Sequence, residues 1–339
     1  MQTIKLGVIG YGYWGPNIVR NFFAASNCEV KLVADPRQQR LDLLARNFPS
    51  IERTTRVEDV FSNPEIDAVV IATPVFTHYE LAKKALLEGK HVLVEKPMTG
   101  SVAEAEDLIN LAAQKGLTLM VDHTFLYTGA VQKMKELIDS QVIGAPRYFD
   151  STRINLGLFQ SDINVLWDLA PHDLSILTYL VTGKPCSINA TGISHTGNNI
   201  ENIAYMTVNY QSDFIAHFNC SWTSPVKVRS TLIGGDKKMI VYNDLEPSEK
   251  VRVYDTGYNM KTEEDRKHIM VDYRTGDVYI PKLSAQEALA GVANDFIQSI
   301  LGQVEPLANA RLGLQVVQIL EASQESIRQN GKEIKLAHC

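Results

Sequence analysis

The sequence predicts an α/β protein in two parts: a doubly wound parallel sheet, then an α+β region with a large, open and mostly antiparallel sheet. Up to residue 124, short apolar runs alternate with amphipathic segments. Beyond it, strand-like runs follow one another without intervening helices. The chain has 339 residues, which at about 150 residues per domain suggests two domains. We therefore place the domains at residues 1–124 and 125–339.

Five runs in the first part are almost continuously apolar and rich in Val and Ile, which is typical of strands covered on both faces. These runs are residues 4–10, 29–35, 67–73, 91–95 and 117–122. Helical patterns separate them, over 15–25, 36–48, 77–88 and 101–115. The last has Ser101 as N-cap, Glu104 as its capping-box partner and Gly116 after its end. This alternation predicts a parallel sheet with helices on both faces.

The second part has a different pattern. Helices are predicted over 129–140 and from near Asp168 to before Gly183, and alternation predicts strands over 188–194, 203–210, 214–222, 228–233 and 239–242. Consecutive strands imply an antiparallel sheet, which can leave one face open. We expect a homodimer or homotetramer to form through that face. Residues 246–284 are interpreted as a projecting hairpin, and helical patterns over 285–301 and 308–329 follow.

Composition excludes several classes of protein. Hydrophobic residues make up 45% and charged residues 21%, and the net charge is −6 with no basic block, which disfavours nucleic-acid binding. The four cysteines form no CxxC or Cys/His cluster, so neither a disulfide framework nor a metal site is indicated. No leader pattern and no apolar run of about 20 residues occurs, so we expect a cytoplasmic protein without membrane contact. A small molecule is the expected partner.

A glycine-rich turn lies directly between the first predicted strand and the first predicted helix. It reads Gly10-Tyr11-Gly12-Tyr13-Trp14-Gly15, a G-x-G-x-x-G. Gly10 permits the tight turn, Gly12 lets the backbone approach a pyrophosphate, and Gly15 lets helix and strand pack closely. The helix N-terminus offers N–H groups and a positive dipole end to phosphates. The context predicts a Rossmann dinucleotide site, with Tyr11, Tyr13 and Trp14 lining the loop without chemistry.

An acid ends the second predicted strand at Asp35, twenty residues past Gly15, where it can bind the adenosine ribose hydroxyls. Asp35 can also cap the following helix, since Pro36 suits a first turn, and both roles can coexist. A carboxylate there repels a 2′-phosphate, so NAD is predicted in preference to NADP. Arg37, two residues on, works against that preference.

Several motifs together resemble the glucose–fructose oxidoreductase / inositol dehydrogenase family. Residues 89–97 read GKHVLVEKP, which is similar to the family signature. Thr73-Pro74 with His78 looks like its fourth-strand motif, and Asp168 with His172 looks like its catalytic helix. Residues 167–173, WDLAPHD, look most like members that act on carbon 3 of UDP-N-acetylhexosamines or their uronates, or that reduce the corresponding keto sugars. One departure is residues 122–125, DHTF, where many relatives carry an Arg.

The resemblance implies an NAD-dependent dehydrogenase or reductase acting on CH–OH groups of a sugar or nucleotide sugar. It implies cofactor contacts beyond the glycine turn, from Thr73, Pro74, His78, Glu95 and Lys96. It also implies a cis bond between Lys96 and Pro97.

Alcohol oxidation needs one group to polarise the oxygen and one to accept the proton. Lys96 ends the fifth predicted strand, at the edge where open α/β sheets bind ligands. Asp168 and His172 are four residues apart and share one face of a helix. Pro171 suits a first turn, which places Asp168 near the N-cap and His172 about one turn in. Lys96, His172 and Asp168 are the predicted catalytic residues, and the sequence leaves open whether Lys96 or His172 accepts the proton.

Arg153 and Asn155 leave the first predicted strand of the second domain and are candidates, with Asp168 and His172, for binding substrate phosphate or sugar hydroxyls. A structural role for a sheet-face arginine is the equal alternative. Two other functions compete with a dehydrogenase: NAD-assisted glycoside hydrolysis at the same site, and a non-enzymatic regulator that only binds a dinucleotide.

Overall fold

The computed structural model describes residues 3–157, 159–197, 199–259, 272–302 and 304–336. The chain divides into two compact units. Unit 1 is Met1–Thr128 with Gln286–Gln318, and unit 2 is Gly129–Ala285 with Ile319–Cys339. The first boundary thus falls four residues after the predicted one. The predicted continuous second domain needs correction, because residues 286–318 belong to unit 1.

The sheet of unit 1 has six parallel strands in the order β3-β2-β1-β4-β5-β6. They are β1 (Ile4–Ile9), β2 (Cys28–Ala34), β3 (Glu52–Thr54), β4 (Ala68–Ile71), β5 (His91–Glu95) and β6 (Leu119–Asp122). The doubly wound prediction is confirmed, and the order reverses between β1 and β4, which is where such sheets bind ligands. Strand β3 was not predicted because its three partly exposed residues carry no apolar run.

The predicted helices are present close to their predicted positions, except that α7 begins earlier than expected, and the short helix α3 was not predicted. They are α1 (Gly15–Ala24), α2 (Gln38–Asn47), α3 (Glu58–Ser62), α4 (His78–Leu87), α5 (Val102–Lys115), α6 (Gly129–Asp139), α7 (Val165–Leu180), α8 (Ala288–Gly302) and α9 (Ala310–Arg328). Helix α5 has the predicted ends: the Glu104 N–H donates to Ser101 Oγ at 3.3 Å, and Gly116 adopts φ +66°. Left-handed backbone at that position suits glycine.

Residues 286–318 complete the core of unit 1. Phe296 of α8 packs edge to face on Phe22 of α1, with ring centroids 6.3 Å apart. The Val121 N–H in β6 donates to the Ala308 carbonyl at 3.0 Å. Gly313 in α9 lies so close to Val121 that a Cβ there would come within 2.7 Å of its side chain. Unit 1 is therefore built from both ends of the chain.

Unit 2 contains a nine-stranded sheet in the order β16-β13-β12-β11-β7-β10-β9-β8-β17. Its strands are β7 (Pro146–Leu156), β8 (Pro185–Ile193), β9 (Ile203–Tyr210), β10 (Ile215–Ser221), β11 (Thr223–Gly235), β12 (Met239–Asn243), β13 (Val251–Tyr254), β16 (Val278–Tyr279) and β17 (Ile334–Lys335); β14 (Gly257–Asn259) and β15 (Asp272–Arg274) form a separate pair. Only β7 and β10 pair in parallel among these described strands. The mostly antiparallel prediction is confirmed.

The predicted hairpin over 246–284 falls partly outside the described residues, at 260–271. Within the described part, β13 and β16 add to the large sheet and β14 pairs with β15.

One face of the unit 2 sheet is buried and the other is open. On β9, Ala204, Met206 and Val208 are buried, and α7 packs against β7, β9 and β10. Tyr205 points to the opposite face and is 48% exposed, as is Ile215 on β10 at 46%. The alternation of small or apolar buried positions with exposed ones matches the predicted period of two.

The structure also gives findings on membrane-spanning helices, metal sites and cysteines, which help to define the class of protein. None of the described helices is long and apolar enough to cross a membrane. Within the described ranges, no group of three or more His, Cys, Asp or Glu side chains could hold a metal ion. Cys28 and Cys220 are free thiols, whereas Cys186 is disulfide-bonded, which the sequence analysis did not predict.

Candidate functional site

The glycine turn of unit 1 is built for close backbone approach. Gly10 has φ +99°, and a Cβ there would collide with the Ala72 carbonyl. A Cβ on Gly15 would lie 2.6 Å from the Gly10 carbonyl oxygen, whereas at Gly12 the nearest atom is the Arg37 guanidinium, 3.4 Å away. The first turn of α1 has no side-chain cap. The turn and the uncapped helix end therefore fit a phosphate group.

The three side chains between the glycines differ in position. Tyr13 is 91% exposed and Trp14 is partly exposed, so both can line a ligand. Tyr11 is fully buried, and only its backbone N–H serves the turn, donating to Asp35 Oδ2 at 2.8 Å. The expectation that the Tyr11 side chain lines the loop is corrected, because this ring fills the core.

Asp35 directly follows β2 and is almost completely enclosed, with 1% exposure. Its Oδ1 accepts from Arg37 N and Nε, both at 2.9 Å, and its Oδ2 accepts from Arg37 Nη2 and Tyr11 N, both at 2.8 Å. Burial acts to raise the Asp35 pKa, but these hydrogen bonds hold it below its usual value. A carboxylate has about four lone-pair positions, and all are used. Ribose hydroxyls can reach Asp35 only if Arg37 moves.

His78 is the first residue of α4 and links two strand ends. Its Nδ1 lies 2.9 Å from the Pro97 carbonyl oxygen, and its Nε2 lies 2.8 Å from the Thr73 carbonyl oxygen. Burial lowers the His78 pKa although both carbonyls act to raise it, so the ring is neutral near pH 7 and donates to one of them. At 1% exposure it braces the residues around Lys96, which corrects the expectation of a cofactor contact. Thr73 and Pro74 remain accessible.

Lys96 follows β5, and the Lys96–Pro97 peptide bond is cis, as the resemblance implied. The Lys96 N–H donates to Glu95 Oε2 at 3.2 Å. Because β1 and β5 run parallel within one sheet, Lys96 and the glycine turn lie at the same carboxyl edge of unit 1.

Two residues at this edge were missed by sequence reasoning: Asp122, the last residue of β6, and His123. Burial raises the Asp122 pKa, and burial with the nearby Lys96 charge lowers the His123 pKa to about 3. Glu95 is also shifted, with its pKa raised well above the usual value by burial and by Asp122. The signal that could have found them is position, since polar residues at the carboxyl end of a parallel strand lie at the edge where open α/β sheets bind ligands.

The predicted catalytic helix of unit 2 begins earlier than expected. Asn164 caps α7, accepting from Leu166 N and Trp167 N at 3.1 Å each. Asp168 thus lies at the end of the first turn, and Pro171 lies inside the helix. The expectation that Pro171 marks the start was wrong because a stronger cap stands seven residues before it.

Asp168 is held by a residue that the sequence analysis did not select. The buried Trp222 indole donates from Nε1 to Asp168 Oδ2 at 2.9 Å. His172 lies one turn further along α7, and both it and Asp168 are partly exposed. This arrangement fixes the direction of the Asp168 carboxylate and leaves the shared helix face accessible.

Arg153 has a structural place in unit 2. Its guanidinium is 3% exposed and forms a fork on Asp173 of α7, with Nε to Oδ2 and Nη2 to Oδ1 both at 2.7 Å. The prediction that Arg153 binds substrate is corrected, because this ion pair ties α7 to β7 in the core. Asn155, two residues on, is partly exposed and stays a candidate.

Phosphates fit the glycine turn of unit 1, and Lys96 stands at the same edge of its sheet. This combination is typical of nicotinamide-dependent oxidoreductases with a Rossmann domain.

Comparison with known proteins agrees with that class. Residues 4–123 match the family described as "Oxidoreductase family, NAD-binding Rossmann fold", and residues 131–241 match the "GFO/IDH/MocA C-terminal domain". The chain therefore belongs to the GFO/IDH/MocA oxidoreductase family, and the prediction of this family and of an oxidoreductase is confirmed.

Individual relatives have related names. The chain is 32% identical over 216 residues to UDP-N-acetylglucosamine 3-dehydrogenase of Acidithiobacillus ferrooxidans, covering 62% of this chain and 64% of that relative. It is 24% identical to the NADP(+)-linked scyllo-inositol 2-dehydrogenase of Bacillus subtilis, over 100% of this chain and 97% of that relative. A solved structure of the A. ferrooxidans dehydrogenase superposes with a TM-score of 0.82 at 23% identity, covering 97% and 99% of the two chains, which shows a shared fold.

Proposed function

We propose that this chain transfers a hydride between a nicotinamide dinucleotide and a secondary alcohol or ketone of a sugar. The substrate class we propose is a nucleotide sugar such as a UDP-N-acetylhexosamine or its uronate. The observation that supports the reaction is Lys96 at the same sheet edge as a glycine turn that fits phosphates. The substrate class is supported by the 32% identity to a UDP-N-acetylglucosamine 3-dehydrogenase.

The bound dinucleotide would accept or supply the hydride. Gly10, Gly12 and Gly15 would hold its phosphates, and Thr73, Pro74 and Glu95 line the same edge. Lys96 and His172 would polarise the substrate oxygen and move its proton, and Asp168 would bind the sugar. We propose NAD as the cofactor, since Asp35 stands at the position of a ribose-binding acid and its negative charge opposes a 2′-phosphate once Arg37 moves aside.

The decisive experiment replaces the two proposed catalytic residues. Lys96→Met and His172→Asn should each lower turnover about 10²–10⁴-fold, because each removes a group that handles the substrate oxygen or its proton. Dinucleotide affinity, measured by calorimetry, should change little because the glycine turn is untouched. Lys84→Met, on the exposed surface of α4, is a matched control.

The products separate the competing functions. Net NADH formation from NAD and a UDP-sugar supports a dehydrogenase. Release of free sugar without net NADH indicates the glycosidase, and tight dinucleotide binding without turnover across a sugar panel indicates a regulator. Turnover within a few-fold of wild type in both variants would refute the assignment of Lys96 and His172.

We also propose that the open face of the unit 2 sheet joins copies of this chain. Support comes from the exposed apolar side chains of Tyr205 and Ile215 on that face. Tyr205→Glu with Ile215→Lys should dissociate a homodimer or homotetramer, as measured by light scattering, while leaving dinucleotide affinity intact. A monomeric wild-type protein contradicts this proposal.

A further inference from the structure

Two carboxyl groups face each other at the carboxyl edge of the unit 1 sheet. Glu95 ends β5 and Asp122 ends β6, and the two are register partners on adjacent strands. As register partners on neighbouring parallel strands, their side chains project from the same face of the sheet, and each acts on the pKa of the other. Glu95 Oε1 and Asp122 Oδ2 are both buried, and neither accepts a hydrogen bond from any N–H or O–H group in the described part of the chain.

The other oxygen of each group already has a donor. The Thr124 hydroxyl donates to Asp122 Oδ1 at 2.6 Å, and the Lys96 N–H donates to Glu95 Oε2 at 3.2 Å. An ionised carboxylate can only accept, so two ionised groups here would repel each other across a buried contact. A single proton between Glu95 Oε1 and Asp122 Oδ2 turns the contact into a short charge-assisted hydrogen bond, which is among the strongest in proteins.

We propose that Glu95 and Asp122 share one proton in the folded protein and act as an acid–carboxylate pair of single negative charge that positions Lys96. The sharing of the proton stands on unit 1 alone, whereas the positioning role rests on the function proposed above. Burial and the mutual proximity of the two groups favour the protonated form, in agreement with the raised pKa of Glu95.

The groups around the pair are consistent with a single charge. Lys96 is the cation that acts on both carboxyls. His123 is buried and neutral, since its pKa is lowered to about 3, and burial also raises the pKa of Tyr127 and keeps it neutral. The Trp14 side chain carries no charge, and as a hydrogen-bond partner of Asp122 it acts to lower the Asp122 pKa, which favours Asp122 as the ionised member of the pair. The pair and the Lys96 ammonium therefore balance each other.

The net charge of the Glu95–Asp122 pair determines how strongly the pair attracts the Lys96 ammonium. At a given distance, a pair of single charge attracts the ammonium about half as strongly as two ionised carboxylates would. The weaker attraction favours an ammonium that also interacts with a substrate oxygen. The pair is thus a positioning device that acts through Lys96.

Infrared spectroscopy of the ligand-free protein tests the shared proton directly. Wild-type protein at pH 7 should show the carbonyl stretch of a protonated carboxylic acid, and the band should disappear as the pH rises. Glu95→Gln and Asp122→Asn should each abolish it, because an amide N–H then replaces the shared proton. Glu106→Gln, an exposed change on α5, should retain it. A wild-type spectrum without such a band at pH 7 would overturn the proposal.

Stability against pH gives a second readout. Because the folded pKa of Glu95 is raised, its contribution to stability is complete at low pH and is lost as the pH rises through that folded value. Glu95→Gln should therefore show a smaller loss of unfolding midpoint with rising pH than wild type. If Glu95→Gln follows the wild-type curve in parallel, the carboxyls do not share a proton.

Kinetics test the positioning role. Each single amide variant keeps one donor and one negative charge, so its turnover should stay within about tenfold of wild type. The double variant Glu95→Gln with Asp122→Asn has no charge, so it should lose more than about tenfold in kcat and shift the pH profile of kcat. An unchanged pH profile would overturn the positioning role. If wild type turns over no sugar, the proposed function fails, whereas the infrared band remains a separate test of the shared proton.

Discussion

The choice between NAD and NADP should depend on Arg37, because this side chain occupies the acceptor that NAD needs. In the structure two of the four hydrogen bonds to the Asp35 carboxylate come from the Arg37 side chain. Arg37→Met keeps the aliphatic stem and removes both donors. The backbone N–H groups of residues 11 and 37 continue to hold Asp35. Two lone-pair positions then become open to the ribose hydroxyls.

The expected change in the NAD:NADP affinity ratio follows from the solvent exposure of the Arg37 side chain. The Arg37 side chain is 56% exposed, so the pair it makes is worth about 1 kcal/mol at most. In wild type, NAD must displace this contact, and the variant removes that cost of up to about 1 kcal/mol. The same variant should weaken NADP binding by a similar free energy, because it removes a cation that can pair with the 2′-phosphate. The sum of about 1–2 kcal/mol corresponds to a change of roughly 5–30-fold in the NAD:NADP affinity ratio.

Calorimetric titration of ligand-free protein with each dinucleotide measures this ratio. Repeating the NADP titration at higher salt should reduce the difference, since the phosphate term is screened. Arg46→Ala, at the other end of α2, removes a charge without touching Asp35 and serves as the control. A ratio unchanged within about twofold, or weaker NAD binding in Arg37→Met, would refute the reasoning.

Two further predictions concern unit 2. Trp222→Phe removes the donor to Asp168 and should cost about 1.5–3 kcal/mol of unfolding free energy, with a several-fold fall in kcat; an unaltered kcat would show that Asp168 needs no orientation. Arg153→Met leaves Asp173 buried without its partner and should cost about 3–5 kcal/mol in chemical denaturation. A loss below about 1 kcal/mol there would mean that water reaches the Asp173 carboxylate.

The predictable parts of the fold are those with local signals. The glycine turn, the apolar strands β1, β4 and β5, and the cap at Ser101 depend on residues within a few positions of each other. The sequence therefore predicts most of residues 1–128 closely, apart from β3 and the short helix α3. The membership of residues 286–318 in unit 1 could not be predicted, because amphipathic periodicity indicates a helix but not the sheet against which that helix packs.

The site residues also divide into those with a local sequence signal and those that depend on contacts between distant parts of the chain. Lys96 was found because a strand end and a neighbouring proline mark it. The partner of Asp168 is 54 residues away and that of Arg153 is 20 away, and such pairs depend on sheet register that spacing does not reveal. Asp35 shows a third limit: its position was predicted, but the saturation of its oxygens by Arg37 depends on a rotamer.

Unit 1 begins at the first strand, yet it is completed only by residues near the other end of the chain. Domains generally fold as units during synthesis, the amino-terminal one first. Here the ribosome must make all of unit 2 up to residue 285 before α8 can cover α1, and before Ala308 and Gly313 can cover β6. Until then, the Phe22 side of α1 in the nascent unit 1 stays exposed to solvent. A fragment that stops at residue 128 would keep every glycine of the turn but expose that surface, so it should aggregate when expressed alone.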